Sequence, residues 1–276
     1  MSFSRTIMRI KNRQEGKGLK VSIIDAIHEQ VLAGERFNPK KAARLTKLLL
    51  KAITENHSED AAEVFTELYG QIINMKTRAP HVFHPSSVEG DCPRMLWYDI
   101  NKTPASDKSI RSFTPEIIMT FDQGTWFHHY VQNKLKKAGV LTKAEIPIVD
   151  IVKKISGAMD GDVWVPEEAG LEIKTMNSFQ FKKAQMTNKP FPNHCKQAGV
   201  YGHVKGYKKI VFLYFNKDTS QMLEFHWDMD YKIIQPVLDK MDNILKSKKE
   251  PARMCADNKC ERALQCSFRT HCFSKP

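Results

Sequence analysis

The sequence predicts an α/β fold, a sheet flanked by helices, and three of its features carry that prediction. Short runs rich in β-branched and apolar residues recur between residues 145 and 227. Segments with apolar positions at helical spacing lie before, between and after them. Strands interleaved with helices pack as a sheet covered by helical layers, and a chain of 276 residues that is 41% hydrophobic is long enough to bury a sizeable core with an added lobe.

Residues 1–80 read as a helical lobe. Val21 to Leu32, Pro39 to Ile53 and Ser58 to Ile73 each carry apolar side chains at helical spacing, with Asn38-Pro39 and Ser58 as start signals. Lys76 to Pro85 is short, polar and punctuated by proline, a connection into a second unit expected over 81–250. There Ser86-Ser87-Val88-Glu89 resembles a helix start that leads into Cys92-Pro93-Arg94-Met95-Leu96-Trp97-Tyr98. An amphipathic helix is expected from Gln123 to about Ala138, stopped by Gly139. It carries His128 and His129, which as helical neighbours point about 100° apart, so at most one of them faces a given site. His129 is assigned to packing or surface, and Trp126, Phe127 and Trp164 are expected in the core.

Strands are expected at Glu145 to Val149, Val152 to Val165 and Leu171 to Thr175, with Pro166-Glu167-Glu168-Ala169-Gly170 turning the last two into an antiparallel hairpin. A helix from about His194 to Lys205, strands at Ile210 to Phe215 and Met222 to Trp227, and a helix from Tyr231 to Lys246 complete the unit. A third segment, 251–276, is rich in cysteine.

Lysine and arginine number 43 against 31 acidic residues, a net charge of +12, and lysines cluster at Lys134, Lys136 and Lys137 and at Lys246, Lys248 and Lys249. That balance fits a polyanionic partner. No run of about 18 apolar residues occurs, and Met1-Ser2-Phe3-Ser4-Arg5 lacks the apolar core of a signal peptide. The expectation is a cytoplasmic protein, in host cytoplasm if a phage encodes it, with no membrane partner. Of six cysteines, Cys255, Cys260, Cys266 and Cys272 crowd into the tail, which in a reducing compartment reads as metal ligation.

Leu171-Glu172-Ile173-Lys174-Thr175 alternates apolar and charged residues, so Glu172 and Lys174 share one face of a strand. Asp160 lies on the preceding strand, and hairpin pairing brings its carboxylate toward Glu172. An isolated Glu-x-Lys is ordinarily a surface ion pair. Two acids and a lysine together suit phosphodiester hydrolysis, in which carboxylate oxygens hold Mg²⁺ or Mn²⁺ and an ammonium orients water or stabilises charge on phosphate. Gln197 and Tyr201, one helical turn apart, share a helix face from which both can donate to phosphate oxygens.

Taken together, Gly157-x-x-Asp160, Glu172-Ile173-Lys174-Thr175 and Gln197-x-x-x-Tyr201, with Gly124-x-x-x-His128 upstream, resemble the PD-(D/E)XK nuclease superfamily in its RecB-like branch. The resemblance covers about residues 84–275. It implies a central mixed sheet flanked by helices, Asp160, Glu172 and His128 as ligands of Mg²⁺ or Mn²⁺, Lys174 as the catalytic lysine, and Gln197 and Tyr201 beside the DNA strand. Asp162 is the alternative to Asp160.

The cysteines add to it. Cys92 precedes the nuclease motifs and Cys255, Cys260, Cys266 and Cys272 follow them, a split similar to that of the iron–sulfur exonucleases of CRISPR adaptation, AddB and phages. The resemblance implies a 4Fe-4S cluster on four of these five, with Cys266 and Cys272 as the firmest pair, Cys255 and Cys260 in competition, and Cys195 a buried thiol. A zinc ion held by the tail alone is the rival, because thiolates suit both.

The expected activity is a metal-dependent DNA exonuclease that prefers single strands or free ends, acting in recombination, repair or phage DNA processing. The alternatives are a non-cleaving DNA-end scaffold and a structure-specific endonuclease. No helicase motif occurs, so a helicase or recombination partner would be a separate chain.

Overall fold

The computed structural model describes residues 79–107, 115–164 and 167–274. The helices expected within residues 1–73 lie outside them. The described chain runs through helices α1 (Pro85–Val88), α2 (Pro93–Ile100) and α3 (Pro115–Lys137), then strands β1 (Leu141–Asp150), β2 (Ile155–Trp164) and β3 (Glu168–Met176). It continues with α4 (Ser178–Thr187), α5 (Pro192–Lys205), β4 (Lys209–Asn216), β5 (Met222–Asp228) and α6 (Tyr231–Lys246), and ends in two short helices, α7 (Glu261–Leu264) and α8 (Arg269–Phe273).

The five strands form one mixed sheet in the order β1-β2-β3-β4-β5. All neighbours are antiparallel except β3 and β4, which are parallel. A parallel pair needs a crossover, and α4 and α5 supply it. Side-chain alternation then sorts the two faces. Leu171, Ile173, Val211 and Leu213 meet Phe127, Val131 and Leu135 of α3, whereas Phe212 and Tyr214 meet Phe181 and Ala184 of α4 and Ala198 and Tyr201 of α5. Ile234, Val237, Met241 and Ile244 of α6 close a further layer with Val200 of α5 and Leu96 and Ile100 of α2. Among the described residues no helix is long and apolar enough to cross a membrane.

Several expectations are corrected in detail. The single helix expected from Ser86 through Tyr98 is two, because Gly90 and Pro93 interrupt it and Pro93 opens α2 as its first residue. The strand expected from Val152 begins at Ile155, since residues 151–154 form a turn in which Asp150 Oδ1 accepts the Lys153 N–H at 2.9 Å and Lys154 takes a positive φ of 50°. Ile151 and Val152 are consequently 86% and 84% exposed, apolar residues that mimic strand in sequence. Helix α3 begins eight residues before Gln123 and ends as expected at Gly139, whose φ is +71°. Trp126 and Trp164 are exposed rather than in the core, Trp126 stacking on Tyr130 one turn away on the outer side of α3; Phe127 is buried.

Candidate active site

The site is made by an interruption of the sheet. β2 and β3 pair only from Gly161↔Leu171 to Trp164↔Glu168, and beyond Gly161 the strands part. In the resulting notch the Ile173 N–H, which lacks a strand partner on that side, donates to Asp160 Oδ2 at 2.5 Å. A carboxylate thus takes the place of a ladder hydrogen bond, and Asp160 is held at the mouth of the gap.

Both helical layers reach the notch. From α3, His128 Nδ1 lies 3.1 Å from Asp160 Oδ1. The carboxylate is the acceptor, so the proton sits on Nδ1 and leaves Nε2 as the nitrogen available to a metal. One turn further on, Gln132 donates from Nε2 to the Asp160 carbonyl at 2.8 Å and to Glu145 Oε1 at 2.7 Å. From β3, Lys174 Nζ pairs with Glu172 Oε1 at 2.6 Å. From α5, Gln197 donates to Glu172 Oε1 at 3.0 Å and accepts from Lys174 Nζ at 3.3 Å. His128, Asp160, Glu172, Lys174 and Gln197, drawn from four elements, therefore meet in one place.

The electrostatics fit that geometry. Burial, reinforced by repulsion from Asp160, pushes the Glu172 carboxyl up to about 7, with Lys174 pulling the other way. For Asp160, burial is outweighed by His128, Lys174 and the Ile173 N–H, and its carboxyl sits below the usual range. His128 and Lys174 are raised in spite of burial, His128 by Asp160 and Lys174 by Glu172 and Asp160. Two buried carboxylates that repel each other, with an imidazole nitrogen at hand, form a donor set that a hard divalent cation relieves. Among the described residues no three His, Cys, Asp or Glu side chains already stand close enough together to hold a metal ion. In the notch the ammonium of Lys174 occupies Glu172, and the Ile173 amide and His128 occupy Asp160.

Asp162 takes no part. It is 6% exposed, its Oδ1 has no hydrogen-bond partner among the described residues, and the charges around it are Glu168, Lys143 and Lys205. Tyr201 is placed otherwise than expected: only 3% exposed, it lies in the core rather than on a surface open to a DNA strand. A Cβ on Gly157 would stand 2.8 Å from its ring and 3.0 Å from its hydroxyl oxygen. The glycine of one motif thus makes room for the tyrosine of another, and their contact fixes the start of β2 three residues before Asp160.

Three residues of the site were not legible in sequence. Gln132 was signalled only as a glutamine one turn after His128, and Glu145, which binds it, takes a positive φ of 48° where β1 passes Asp160. His194, three residues before Gln197 on α5, lies with Nδ1 2.6 Å from the hydroxyl of buried Tyr214, which also accepts the Phe191 N–H at 2.9 Å. Tyr214 pairs with Lys174 across β3 and β4. Burial, and then Lys174, push the His194 imidazole down to about 4. The unfolded chain therefore binds the extra proton between its ordinary pKa near 6.5 and the folded value. Stability from this residue is fully present above about pH 6.5 and falls as the pH drops toward 4, by on the order of 2 kcal/mol. Urea unfolding at pH 7.5 and pH 4.5 is expected to show a larger loss for the wild type than for His194→Gln; equal losses would contradict this.

Four thiols line one cavity elsewhere, without standing close enough together as placed to hold a metal ion. Cys92, Cys255, Cys266 and Cys272 line a cavity of about 330 Å³ between α2 and the tail, together with Arg94, Arg253, Arg262 and Arg269. Cys260 does not line it; its Sγ accepts the Ala263 N–H at 3.4 Å and caps α7. Burial, then a hydrogen bond with Cys260 and the nearby Cys92 and Cys266, push Cys255 up to about 12, and burial, followed by Cys92 and Cys272, raises Cys266. Cys255 and Cys266 therefore stay protonated unless a cation draws the protons off, and the arginines would offset the charge of four thiolates. Cys195 is buried and inert, pushed up to about 12 by burial.

No protein-family model and no curated protein matches the sequence. Among solved structures, the chain is similar to SSO0001, at 17% identity and a TM-score of 0.44 over 86% of this chain and 99% of that one. It is also similar to the alkaline exonuclease LHK-Exo from Laribacter hongkongensis, at 16% identity and a TM-score of 0.45 over 60% of this chain and 86% of that one. LHK-Exo in complex with dAMP gives 17% identity and a TM-score of 0.40 over the same shares.

Proposed function

We propose that this protein is a metal-dependent deoxyribonuclease, an exonuclease acting at DNA ends with a preference for single strands. The observation that carries the reading is the meeting of His128, Asp160, Glu172, Lys174 and Gln197 in the notch between β2 and β3. Asp160 and Glu172, with His128 through Nε2, would hold Mg²⁺ or Mn²⁺. The bound ion supplies Lewis-acid polarisation of the scissile phosphate and a lowered pKa for water.

The side chains account for the rest. Lys174, whose side chain is 22% exposed, presents a charged ammonium able to orient the attacking water and to stabilise charge developing on phosphate. His128, Lys174 and the Ile173 amide keep Asp160 ionised, and Gln132 fixes its backbone. Gln197 bridges Glu172 and Lys174 and so sets the distance between ligand and lysine. Gln197→Ala is expected to lower turnover about tenfold or more with a melting point within a few degrees of wild type; unchanged turnover would refute that bridging role.

We also propose that Cys92, Cys255, Cys266 and Cys272 hold a 4Fe-4S cluster, Cys255 filling the place for which Cys260 competed. The one cavity these four line supports this reading over zinc bound by the tail alone. The cluster's part is to join the tail to α2.

The enzymatic proposal is tested with end-labelled linear and covalently circular single-stranded DNA, in Mn²⁺ and in chelator. Loss of linear DNA in Mn²⁺ alone, with circles spared, is the expected result. Cleavage of circles at the same rate would make the enzyme an endonuclease, and no cleavage of either would leave a scaffold.

A further inference from the structure

Helix α4 follows the active-site strand, yet only Phe181 and Ala184 of its ten residues are buried. Phe179 and Met186 are 79% and 77% exposed. They stand seven residues apart, two helical turns, and so share one face about 10 Å apart along the axis. Lys182 and Lys183 lie between them on that face, and Lys189 follows in the exit loop; all three are exposed and form no ion pair with a described residue.

The start of the helix and the loop at its exit are tied to β4 and the turn after it, and β4 pairs with β3 of the site. At its start, the Ser178 N–H donates to Asp218 Oδ2 at 2.7 Å, and Ser178 Oγ donates to Asn216 Oδ1, at the end of β4, at 3.2 Å. Asn177 caps the first turn by accepting the Gln180 N–H. At its exit, the Phe191 N–H donates to the Tyr214 hydroxyl, and Tyr214 pairs with Lys174. Lysine dominates the sequence around it: from residue 173 to residue 217 there are nine lysines and no aspartate or glutamate, and Asp218, just beyond, is engaged by the first amide of the helix.

We infer that the exposed face of α4 binds single-stranded DNA beside the active site, Phe179 and Met186 stacking on bases while Lys182, Lys183 and Lys189 neutralise phosphates. Large apolar side chains kept in water on a rigid helix, with unpaired lysines between them, fit the two components of an unpaired strand, flat base faces and a charged backbone. A duplex would offer the lysines its phosphates but would keep its base faces stacked within the helix. An acidic protein partner would engage the lysines without needing an aromatic ring.

This inference rests on the nuclease reading for its substrate, so binding is measured apart from cleavage. The full-length protein is titrated into fluorescein-labelled dT20, and into a duplex of the same length, in EDTA, and anisotropy is read over a range of salt. Phe179→Ala is expected to weaken dT20 binding about tenfold, Phe179→Tyr to restore it, and duplex binding to change less than twofold. The double variant Lys182→Ala/Lys183→Ala is expected to reduce the log–log salt slope by about 1.4, whereas Phe179→Ala leaves the slope unchanged. Unchanged dT20 binding by Phe179→Ala, or equal weakening of single strand and duplex, would overturn the inference. Wild-type cleavage in Mn²⁺, assayed in parallel, decides the nuclease reading by itself: a protein that never cleaves but loses dT20 binding on Phe179→Ala keeps this surface and loses that reading.

Discussion

Lys174→Ala is expected to slow DNA cleavage about 1,000-fold, roughly 4 kcal/mol of transition-state stabilisation, while DNA affinity stays within about twofold. Alternation on β3 puts Lys174 beside Glu172, burial of that pair makes its electrostatics strong, and Gln197 holds the ammonium in place. One ammonium in the notch contributes little to the affinity of a long polyanion that meets many lysines, but it matters when charge develops on the reacting phosphate. Lys174→Arg is expected to fail as well, because a planar guanidinium cannot occupy the compact place of an ammonium between Glu172 and Gln197. Single-turnover cleavage and equilibrium binding, measured on the same preparations, separate the two effects. Cleavage within tenfold of wild type would show that Lys174 is only a structural ion pair.

Cys92→Ala is expected to have the largest effect on stability. If Cys92 is tied to Cys255, Cys266 and Cys272, the linkage closes a chain loop of roughly 170 residues around the whole sheet, and the loop-entropy treatment of cross-links gives about 5 kcal/mol for such a closure. The melting point should fall by about 10 °C or more. Brown colour with broad absorbance near roughly 400 nm, present in anaerobically purified wild type, should be lost with it. Cys260→Ala is expected to keep the colour, since its sulfur caps α7 and does not line the cavity. Colourless wild-type protein with stoichiometric zinc, and Cys92→Ala melting like wild type, would assign the tail a zinc site of its own.

The active-site strand was legible because alternation is a local property: Glu172 and Lys174 fall on one face of any strand that buries Leu171 and Ile173. Asp160 was legible for the same reason, once Pro166 to Gly170 was read as a hairpin turn, although Glu168 to Gly170 already belong to β3. What could not be read was where β2 stops pairing with β3, because that depends on how the β1–β2 hairpin bends away, with Glu145 at positive φ and Gly157 beneath Tyr201. The notch, the amide that holds Asp160 and the supporting Gln132 all follow from that separation. Helix α4 was missed because its apolar residues Phe179 and Met186 face water, which blurs the periodicity that marks an amphipathic helix. Val152 erred in the opposite direction, read as the start of a strand while turning through solvent. Cys255 and Cys260 could not be told apart in sequence, since both lie in the same irregular stretch of the tail; of the two, Cys255 lines the cavity.

The most direct test of the site is Mn²⁺ binding, followed by the disappearance of the free-ion paramagnetic resonance signal as protein is added without DNA. Wild-type protein is expected to remove Mn²⁺ in stoichiometric proportion, and Asp160→Asn and Glu172→Gln to bind at least tenfold more weakly while their melting points remain close to that of the wild type. Equal Mn²⁺ binding by the wild type and both variants would contradict the account, because the carboxylates in the notch would then hold no metal.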